Sequence, residues 1–363
     1  MSMGVGIIGA GVISDTYLAN LNGFGDVSVR FVADLDTARA AAQATRHDVA
    51  DSGTVAQLLE RDDVELVVNL TVPAAHAEVG SAVLESGRHL WQEKPLATNR
   101  TDAAKLLELA EANGLRVACA PDTVLGPGIQ TARRAVESGR IGRPITGLAL
   151  FQSRGPDAWH PGPEFLFQAG AGPLFDIGPY YLTTLALVFG PVRRVTATGT
   201  RARTRRTIQA GPRAGTVFDV TEPTTVNALI EFVDGGSAQL LMSFDSGVSR
   251  TCVEVTAEHG SLILPDPNGF DGDTRLCSVS DAEELTFPAA GHTATRGIGV
   301  LDLARSIRAG VPERAGGRLA YHVLDVMVAV DEAARRGEPV AVESRFDPIP
   351  LLPDDWDPFA RTL

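Results

Sequence analysis

A glycine-rich turn near the N-terminus constrains the fold of this chain more than any other feature. Residues 5–8 form an apolar run that suits a buried strand, Gly9-Ala-Gly11 follows at once, and a helical pattern begins after it. Gly9 permits a tight turn, and Gly11 lets a ligand approach the backbone N–H groups at the helix start. Ser14 stands where a third small residue is needed for close helix–strand packing. This order is typical of the first βαβ unit of a doubly wound sheet.

Short apolar runs alternate with helical patterns through the first third of the chain. This alternation predicts an α/β fold with a parallel, doubly wound Rossmann sheet. The proline- and glycine-rich run at 121–128 marks its end, so we predict a dinucleotide-binding domain over residues 1–121. The predicted strands are 5–8, 27–33, 66–70, 89–91 and 116–120, and the predicted helices are 13–21, 37–45, 55–60, 75–86 and 102–113.

Residues 122–363 show a different pattern, in which extended segments follow one another with little helix between them. Consecutive strands favour an antiparallel sheet, so this part is predicted to be an α+β domain with a large, open, mostly antiparallel sheet. Asp234-Gly-Gly236 is expected to form a hairpin turn. The predicted strands are 145–152, 192–200, 225–233, 237–246, 251–257 and 261–264. A helix at 129–138 follows the boundary run, and helices at 182–188, 300–309 and 318–336 are expected to cover one face of the sheet.

Asp34 ends the second predicted strand and indicates what the glycine turn binds. A carboxylate about 20 residues after the glycines holds the ribose hydroxyls of a dinucleotide in this type of fold. The next residues, Leu35 and Asp36, carry no positive charge that would neutralise a 2′-phosphate. The sequence therefore predicts a dinucleotide site in which NAD is favoured over NADP.

Composition excludes several other functions. The 32 Lys and Arg residues against 45 Asp and Glu give a net charge of −13, which disfavours nucleic-acid binding. The arginine-rich run at 201–206 lacks interleaved aromatic residues and is expected to be a solvated loop or strand edge. Three cysteines at unrelated spacings indicate reduced thiols, and no cluster of ligands has metal-binding spacing, so no metal is predicted. Without a bilayer-length apolar run or a secretory signal, we expect no membrane association and a cytoplasmic location.

Lys94 is a candidate for proton chemistry. Lys94 and Lys105 are the only lysines, so the other 30 basic residues are arginines, which cannot release a proton near neutral pH. Lys94 lies in Glu93-Lys94-Pro95, directly after the strand predicted at 89–91, on the carboxyl edge where such sheets bind ligands. Lys105 lies within a helical pattern and is expected at the surface.

Five motifs in order resemble the Gfo/Idh/MocA oxidoreductase family over essentially the whole chain. They are Gly9-Ala-Gly11 with Ser14, Asp34, residues 71–76, Glu93-Lys94-Pro95 and residues 170–180. The resemblance implies an NAD(P) domain followed by a substrate-binding domain whose open sheet forms homodimers or homotetramers. It also implies oxidation or reduction of a hydroxyl-bearing carbon of a sugar, cyclitol or related polyol. The implied cofactor contacts are Gly9, Gly11, Val12, Ile13, Asp34, Thr71, His76, Glu93 and Lys94.

Tyr180 stands where much of the family has the histidine of an Asp-x-x-x-His motif. The chain thus resembles the branch that includes glucose–fructose oxidoreductase and the dimeric dihydrodiol and xylose dehydrogenases, in which a tyrosine partners the lysine. Carried over by position, Lys94, Asp176 and Tyr180 form the catalytic group and contact the substrate. A phenol needs a nearby cation to act as a base near neutrality, which Lys94 would supply unless it is the base itself. Tyr181 is the competing tyrosine.

Several alternatives remain open at the level of sequence. Trp159 and His160 lie in a Gly/Pro-rich loop, where an aromatic platform beside an imidazole suits a sugar ring and His160 is a second candidate base. A helix that begins at Pro179 would leave Asp176 in the preceding turn. A cyclic-diol dehydrogenase and the reverse direction are not separated from the leading interpretation. A dinucleotide- and sugar-sensing regulator of this fold would be expected to have lost the lysine or its partner.

Overall fold

A computed structural model describes residues 2–168, 170–279 and 284–363 of the protein. The chain divides into two compact units. Unit 1 comprises Met1–Pro127, Gly291–Leu324 and Ile349–Leu363, and unit 2 comprises Gly128–Ala290 and Asp325–Pro348.

Strands and helices alternate in the first part of the chain, and strands predominate in the second. The strands are β1 (Met3–Ile8), β2 (Val27–Ala33), β3 (Asp51–Gly53), β4 (Leu66–Asn69), β5 (His89–Gln92), β6 (Val117–Cys119), β7 (Pro144–Gln152), β8 (Val192–Thr200), β9 (Arg205–Thr207), β10 (Val217–Asp219), β11 (Thr225–Phe232), β12 (Ser237–Ser243), β13 (Arg250–Ala257), β14 (Gly260–Leu264), β15 (Thr274–Ser278), β16 (Glu284–Phe287) and β17 (Val340–Ala341). The helices are α1 (Val12–Leu21), α2 (Thr37–Arg46), α3 (Val55–Leu59), α4 (His76–Glu85), α5 (Arg100–Ala112), α6 (Pro127–Glu137), α7 (Gly172–Asp176), α8 (Gly178–Phe189), α9 (Ile298–Ala309) and α10 (Gly317–Arg336).

Unit 1 is built on a parallel sheet with the strand order β3-β2-β1-β4-β5-β6. The order reverses between β1 and β4, so their carboxyl ends form the switch point at which open α/β sheets bind ligands. β1 and β4 are buried at every residue, as expected for strands covered on both faces. The predicted Rossmann sheet is therefore confirmed. The three-residue strand β3 was not predicted, because Asp51-Ser-Gly53 is too short and polar to show an apolar pattern.

Unit 1 also contains a segment that the sequence assigned to the second domain. Helix α9 packs against β5 and β6 of the Rossmann sheet. Its contact is close, because a methyl group added at Gly299 would lie 2.0 Å from Cη2 of the Trp91 ring. The domain boundary predicted at 121/122 therefore differs from the two units: a helical pattern reveals an apolar face but not which sheet that face covers.

Unit 2 contains a nine-stranded sheet with the order β16-β15-β14-β13-β7-β12-β11-β8-β17. β7 and β12 pair in parallel, whereas the other neighbours pair antiparallel, which confirms the large, mostly antiparallel sheet. The predicted hairpin joins β11 and β12, and Gly235 and Gly236 adopt positive φ angles of 93° and 82° within it. β9 and β10 form a separate two-stranded ribbon that the sequence analysis did not predict.

One face of the large sheet is covered and the other is open. Helix α8 packs on β7, and α7 packs on β11 and β12, so alternate residues of these strands are buried. The opposite face carries two rows of uncharged side chains across β8, β11, β12 and β7. In register they are Thr196, Leu229, Gln239 and Leu148, followed by Thr198, Asn227, Leu241 and Leu150.

Among the described residues, none of the helices combines the length and the hydropathy that crossing a membrane requires.

Candidate active site

The glycine turn lies at the switch point of the Rossmann sheet. Gly9 adopts φ +103°, and a methyl group there would lie 2.8 Å from the Leu70 carbonyl at the end of β4, so only glycine fits. Gly11 is the N-cap of α1, and a methyl group there would meet no atom within 4 Å. The open side of Gly11 and the first N–H groups of α1, at Val12 and Ile13, form a cradle of the kind that binds phosphate. Ser14 is fully buried, and its hydroxyl donates to the Gly11 carbonyl at 2.6 Å.

Asp34 fixes the glycine turn through its hydrogen bonds. Its Oδ2 atom accepts the Ala10 N–H at 2.7 Å, and Oδ1 accepts the Asp36 N–H at 2.8 Å and Arg39 Nη2 at 2.6 Å. Partial burial raises the pKa of this carboxyl, but the hydrogen bonds from Arg39 and the two backbone N–H groups outweigh burial and hold the pKa below its usual range. Asp34 is thus held as a carboxylate at the end of β2.

Arg39 is a contact that the sequence analysis missed. Asp36 caps α2 by accepting the N–H groups of Ala38 and Arg39, and this places Arg39 in the first helical turn, beside Asp34. Leu35 and Asp36, the two residues next to Asp34 in the sequence, carry no positive charge, whereas Arg39 lies five residues on. The helix predicted from residue 37 could have revealed this contact. It places Arg39 in the first helical turn, and the first turn of a helix that starts directly after a strand lies close to the end of that strand.

Thr71 belongs to a network that joins the ends of β4 and β5. Its backbone N–H and its hydroxyl both donate to Asn69 Oδ1, at 3.1 and 2.7 Å. The Asn69 amide donates to Gln92 Oε1 at 2.9 Å, and the Gln92 amide donates to the Leu96 carbonyl at 3.1 Å. Asn69 and Gln92 are fully buried, so breaking any of these hydrogen bonds would leave a polar atom without a partner away from water. The network therefore stabilises the two loops that carry Thr71 and Lys94.

His76 is completely buried, and both ring nitrogens face backbone carbonyls. Nδ1 lies 2.6 Å from the Pro95 oxygen and Nε2 lies 3.0 Å from the Thr71 oxygen. Burial lowers the pKa of His76 more than the two carbonyls raise it, which favours the neutral ring. The side chain therefore connects the loop after β4 with the Lys94–Pro95 turn rather than directing a ring nitrogen outward.

Glu93 is also engaged from within unit 1. Its Oε1 accepts the Tyr17 hydroxyl at 2.9 Å, and its Oε2 accepts the Lys94 backbone N–H at 2.8 Å. The Trp91 indole donates to the Tyr17 oxygen at 3.1 Å. Burial, followed by the charges of Glu93 and Asp122, raises the pKa of Tyr17 well above its ordinary value, so the phenol stays a donor. Glu93 thereby holds the backbone of Lys94.

A second buried carboxyl lies beside Glu93. Asp122 accepts the Gly297 and Gly299 N–H groups at 2.7 and 3.3 Å, and Arg296 Nη1 lies 4.0 Å from both Asp122 and Glu93. Burial raises the pKa of Asp122 to about 6, against the opposing charge of Arg296. The sequence analysis missed this contact, because residues 122 and 296 are distant in the chain and share no local pattern.

Lys94 is half-buried at the carboxyl end of β5, and the Lys94–Pro95 peptide bond is cis. The Glu93 hydrogen bond and the His76 hydrogen bond to Pro95 support the backbone on either side of it. Lys105 is 68% exposed and lies 3.7 Å from Asp102, in agreement with the predicted surface position.

The Asp176 and Tyr180 motif is divided between two helices of unit 2. Asp176 is the last residue of α7, and α8 begins at Gly178 with Pro179 in its first turn. Asp176 therefore precedes the helix of Tyr180, although that helix begins one residue before Pro179. Tyr180 is 5% exposed, and Tyr181 is fully buried, with its hydroxyl 3.2 Å from Asp266. Burial, with the Asp266 charge, raises the pKa of Tyr181, which makes it a poor candidate for the base.

Trp159 and His160 lie in the loop that follows β7. Trp159 is 67% exposed, and its ring contacts His160 edge-on with centroids 5.5 Å apart. The half-exposed ring of Phe165 also contacts the His160 ring edge-on, with centroids 5.6 Å apart. His160 Nδ1 accepts the Gly162 N–H at 3.0 Å, so in the neutral ring the proton lies on Nε2. These three rings form an exposed aromatic row in unit 2.

Two family models match the chain. The model described as "Oxidoreductase family, NAD-binding Rossmann fold" matches residues 3–120, and the model described as "GFO/IDH/MocA C-terminal domain" matches residues 129–263. Together with the glycine cradle and Asp34, they define an oxidoreductase with an NAD-binding Rossmann domain. The chain belongs to the Gfo/Idh/MocA family.

Named relatives extend this comparison. Trans-1,2-dihydrobenzene-1,2-diol dehydrogenase from Bos taurus is 26% identical over 321 residues, which cover 85% of this chain and 88% of the relative. Inositol 2-dehydrogenase from Salmonella typhimurium is 30% identical over 149 residues, which cover 40% of this chain and 44% of the relative. The structure of levoglucosan dehydrogenase in complex with NADH matches with a TM-score of 0.83 at 20% identity, covering 95% of this chain and 100% of that chain, and shows the shared fold.

Proposed function

We propose that the protein is an NAD-dependent dehydrogenase that transfers hydride between nicotinamide and a hydroxyl-bearing carbon of a sugar, cyclitol or related polyol. The observation that carries the proposal is the position of Lys94: it lies at the carboxyl end of β5, in the same sheet whose β1 and β2 ends carry Gly11 and Asp34. The names of the dihydrodiol and inositol dehydrogenases support a substrate with a ring hydroxyl.

The proposed function gives each site residue a role in cofactor binding, substrate binding or proton transfer. Bound NAD supplies the hydride acceptor. The N–H groups at Gly11, Val12 and Ile13 bind its pyrophosphate, Asp34 accepts its ribose hydroxyls, and Thr71 and the Glu93–Lys94 turn line its site, supported by Gly9 and His76. Tyr180 accepts the hydroxyl proton with the Lys94 cation lowering the pKa of its phenol, Asp176 binds the substrate, and Trp159 with His160 provides the platform for its ring.

Removal of the proposed proton-transfer groups gives the first test. Lys94→Met keeps the stem but removes the cation, and Tyr180→Phe removes only the hydroxyl. Because general acid–base help is worth typically 10²–10⁴-fold, we expect each variant to lower kcat by about that factor while NAD binding persists. Steady-state kinetics with a panel of sugars and polyols, followed at the nicotinamide absorbance, measures the loss. Lys105→Met, at the other lysine, should keep wild-type kcat.

The pH profile then identifies the base. If Tyr180 is the base, wild-type kcat/KM should rise with pH and Tyr180→Phe should lose that rise. Loss of the rise in His160→Ala, with Tyr180→Phe unaffected, would transfer the role to His160 and contradict the assignment.

We propose NAD over NADP because the Asp34 carboxylate repels a 2′-phosphate. A carboxylate has about four acceptor positions, and those of Asp34 already receive three hydrogen bonds, one of them from Arg39. The positive charge of Arg39 offsets part of the repulsion between Asp34 and a 2′-phosphate. Arg39 therefore determines how strongly NAD is preferred over NADP. The Arg39 side chain is 53% exposed, which leaves it room to turn toward a phosphate.

Cofactor titrations test this balance. We expect NAD to bind more tightly than NADP, and Asp34→Ala to narrow the ratio because it removes the repulsion and releases Arg39. Arg39→Glu should widen the ratio by roughly tenfold, equivalent to about 1.4 kcal/mol, because it replaces an attractive charge with a repulsive one. Arg46→Glu, in the same helix but paired with Asp15, is the control. Wild-type affinity for NADP that equals or exceeds that for NAD would refute the assignment.

We also propose that the protein is cytoplasmic and forms a homodimer or homotetramer through the open face of the large sheet. The support is chemical: the two rows across β7, β8, β11 and β12 contain leucines, threonines and amides but no charge, in a chain of net charge −13. Four exposed or half-buried leucines in neighbouring strands of one sheet face favour a protein partner.

A charge in the middle of this face tests the assembly. Leu229 is 58% exposed in one of the two rows, and Leu229→Glu would place a carboxylate within the proposed interface. Light scattering at micromolar concentration should give an oligomer for the wild type and a monomer for Leu229→Glu. Val311→Glu, at a 48%-exposed apolar residue of unit 1, should keep the wild-type mass. A monomeric wild type would contradict the proposal.

A further inference from the structure

We infer that Arg206 is a positioning residue that fixes the Trp159–His160 loop for substrate binding. The sequence analysis expected the arginine-rich run at 201–206 to be solvated, and its neighbours Arg203 and Arg205 are exposed. Arg206 contradicts that expectation, because its side chain is only 2% exposed. Alternation along β9 turns Arg206 inward while Arg205 faces water.

The Arg206 guanidinium joins two separate segments of unit 2. Nη1 donates to the Arg154 carbonyl at 2.9 Å and to Asp157 Oδ1 at 2.5 Å, both in the loop after β7. Nη2 donates to the Phe244 carbonyl at 2.6 Å and to Asp245 Oδ1 at 2.5 Å, directly after β12. β7 and β12 pair in parallel, with Gln152 opposite Ser243, so these two segments leave the sheet side by side. Arg206 therefore fastens the loop to the sheet end.

The loop is shaped around this guanidinium. Gly155 adopts φ +101°, and a methyl group there would lie 2.5 Å from Arg206 Nη1 and 2.6 Å from Asp157 Oδ1. The turn at Pro156–Ala158 follows, and the N–H groups of Trp159 and His160 both donate to the Pro156 carbonyl, at 3.1 and 2.7 Å. The aromatic row thus begins two residues after the carboxylate that Arg206 holds.

Burial of the Arg206 guanidinium means that these contacts require arginine and not only a positive charge. A buried charge is costly unless it is paired, and the two Nη atoms of Arg206 meet two carboxylates and two carbonyls at once, while Nε is buried without a partner among the described residues. The compact ammonium of lysine cannot span both pairs of acceptors. The Arg206 guanidinium also lies 5.0 Å from the Phe167 ring centroid, in the core cluster of Phe167, Ile208, Phe218, Val220 and Phe244. Ile177, the neighbour of Asp176, packs on the same cluster, so one group supports both proposed substrate segments.

The inference rests on the proposed function, because it assigns substrate contact to Trp159 and His160. We test it with Arg206→Lys, which keeps the charge but breaks the fork, and with Arg206→Met. Arg205→Lys, on the same strand but 67% exposed, is the matched control. Each protein carries 5-fluorotryptophan at its three tryptophans, and Trp159→Phe assigns the Trp159 fluorine signal.

Arg206→Lys should shift the Trp159 fluorine resonance and leave those of Trp91 and Trp356 unchanged. The same variant should raise KM for the polyol by roughly tenfold or more with NAD affinity unchanged, since displacement by about one ångström can cost on the order of 100-fold. If Arg206→Met fails to fold, Arg206→Lys carries the test. Unchanged Trp159 resonances in the Arg206 variants, or a shifted resonance with unchanged KM, would overturn the inference. If the wild type turns over no polyol, the proposed function fails, and the fluorine spectra alone decide whether Arg206 positions the loop.

Discussion

The Asp34 carboxylate is the contact on which the dinucleotide site depends. By accepting the Ala10 N–H, it joins the ends of β1 and β2 and holds the glycine turn in the shape that exposes Gly11. By accepting the Asp36 N–H and Arg39, it also fixes the start of α2. These hydrogen bonds lower the pKa of Asp34, so the group that would receive the ribose is charged before any ligand arrives. The oxygen atoms proposed to bind the ribose are therefore the same ones that fix the local fold.

Lys94 is held by a comparable arrangement on the other side of the switch point. Glu93 binds the Lys94 N–H with one oxygen and the Tyr17 hydroxyl with the other, and His76 holds the Pro95 carbonyl. These partners are buried, so movement of the lysine backbone would leave polar atoms unpaired away from water. The residues that the family resemblance associates with the cofactor thus divide into two kinds. Gly11 and Asp34 are the proposed ligand contacts, whereas the His76 and Glu93 side chains hydrogen-bond the backbone of the loops after β4 and β5.

Features that a single segment of the sequence determines were predicted correctly. The Rossmann strands, the glycine turn and the β11–β12 hairpin each have apolar alternation or glycine spacing that one segment shows by itself. Arg206, Arg39 and the pair of Asp122 with Arg296 could not be found in this way, because their partners are brought together only by the fold. Arg206 was misjudged for a specific reason: charge density along 201–206 predicted solvation, whereas the period of two along β9 buries one arginine of the run. Helix α9 is another example, because the pattern of its apolar residues predicts a buried face but does not indicate which sheet that face covers.

Binding of NADH to the wild type and to Gly11→Val, measured by calorimetric titration, tests the central claim most directly. A methyl group at Gly11 would meet no protein atom within 4 Å, so the substitution should cause no clash in the free protein while it blocks the approach of a pyrophosphate, and a Tm measurement checks that the variant is folded. Gly247→Val, at another glycine with open space around it, is the matched control. The account predicts that Gly11→Val weakens NADH binding by at least roughly 100-fold, or about 2.8 kcal/mol, and that Gly247→Val binds as the wild type does. Equal NADH affinity in the wild type and Gly11→Val, or no binding by the wild type, would contradict it.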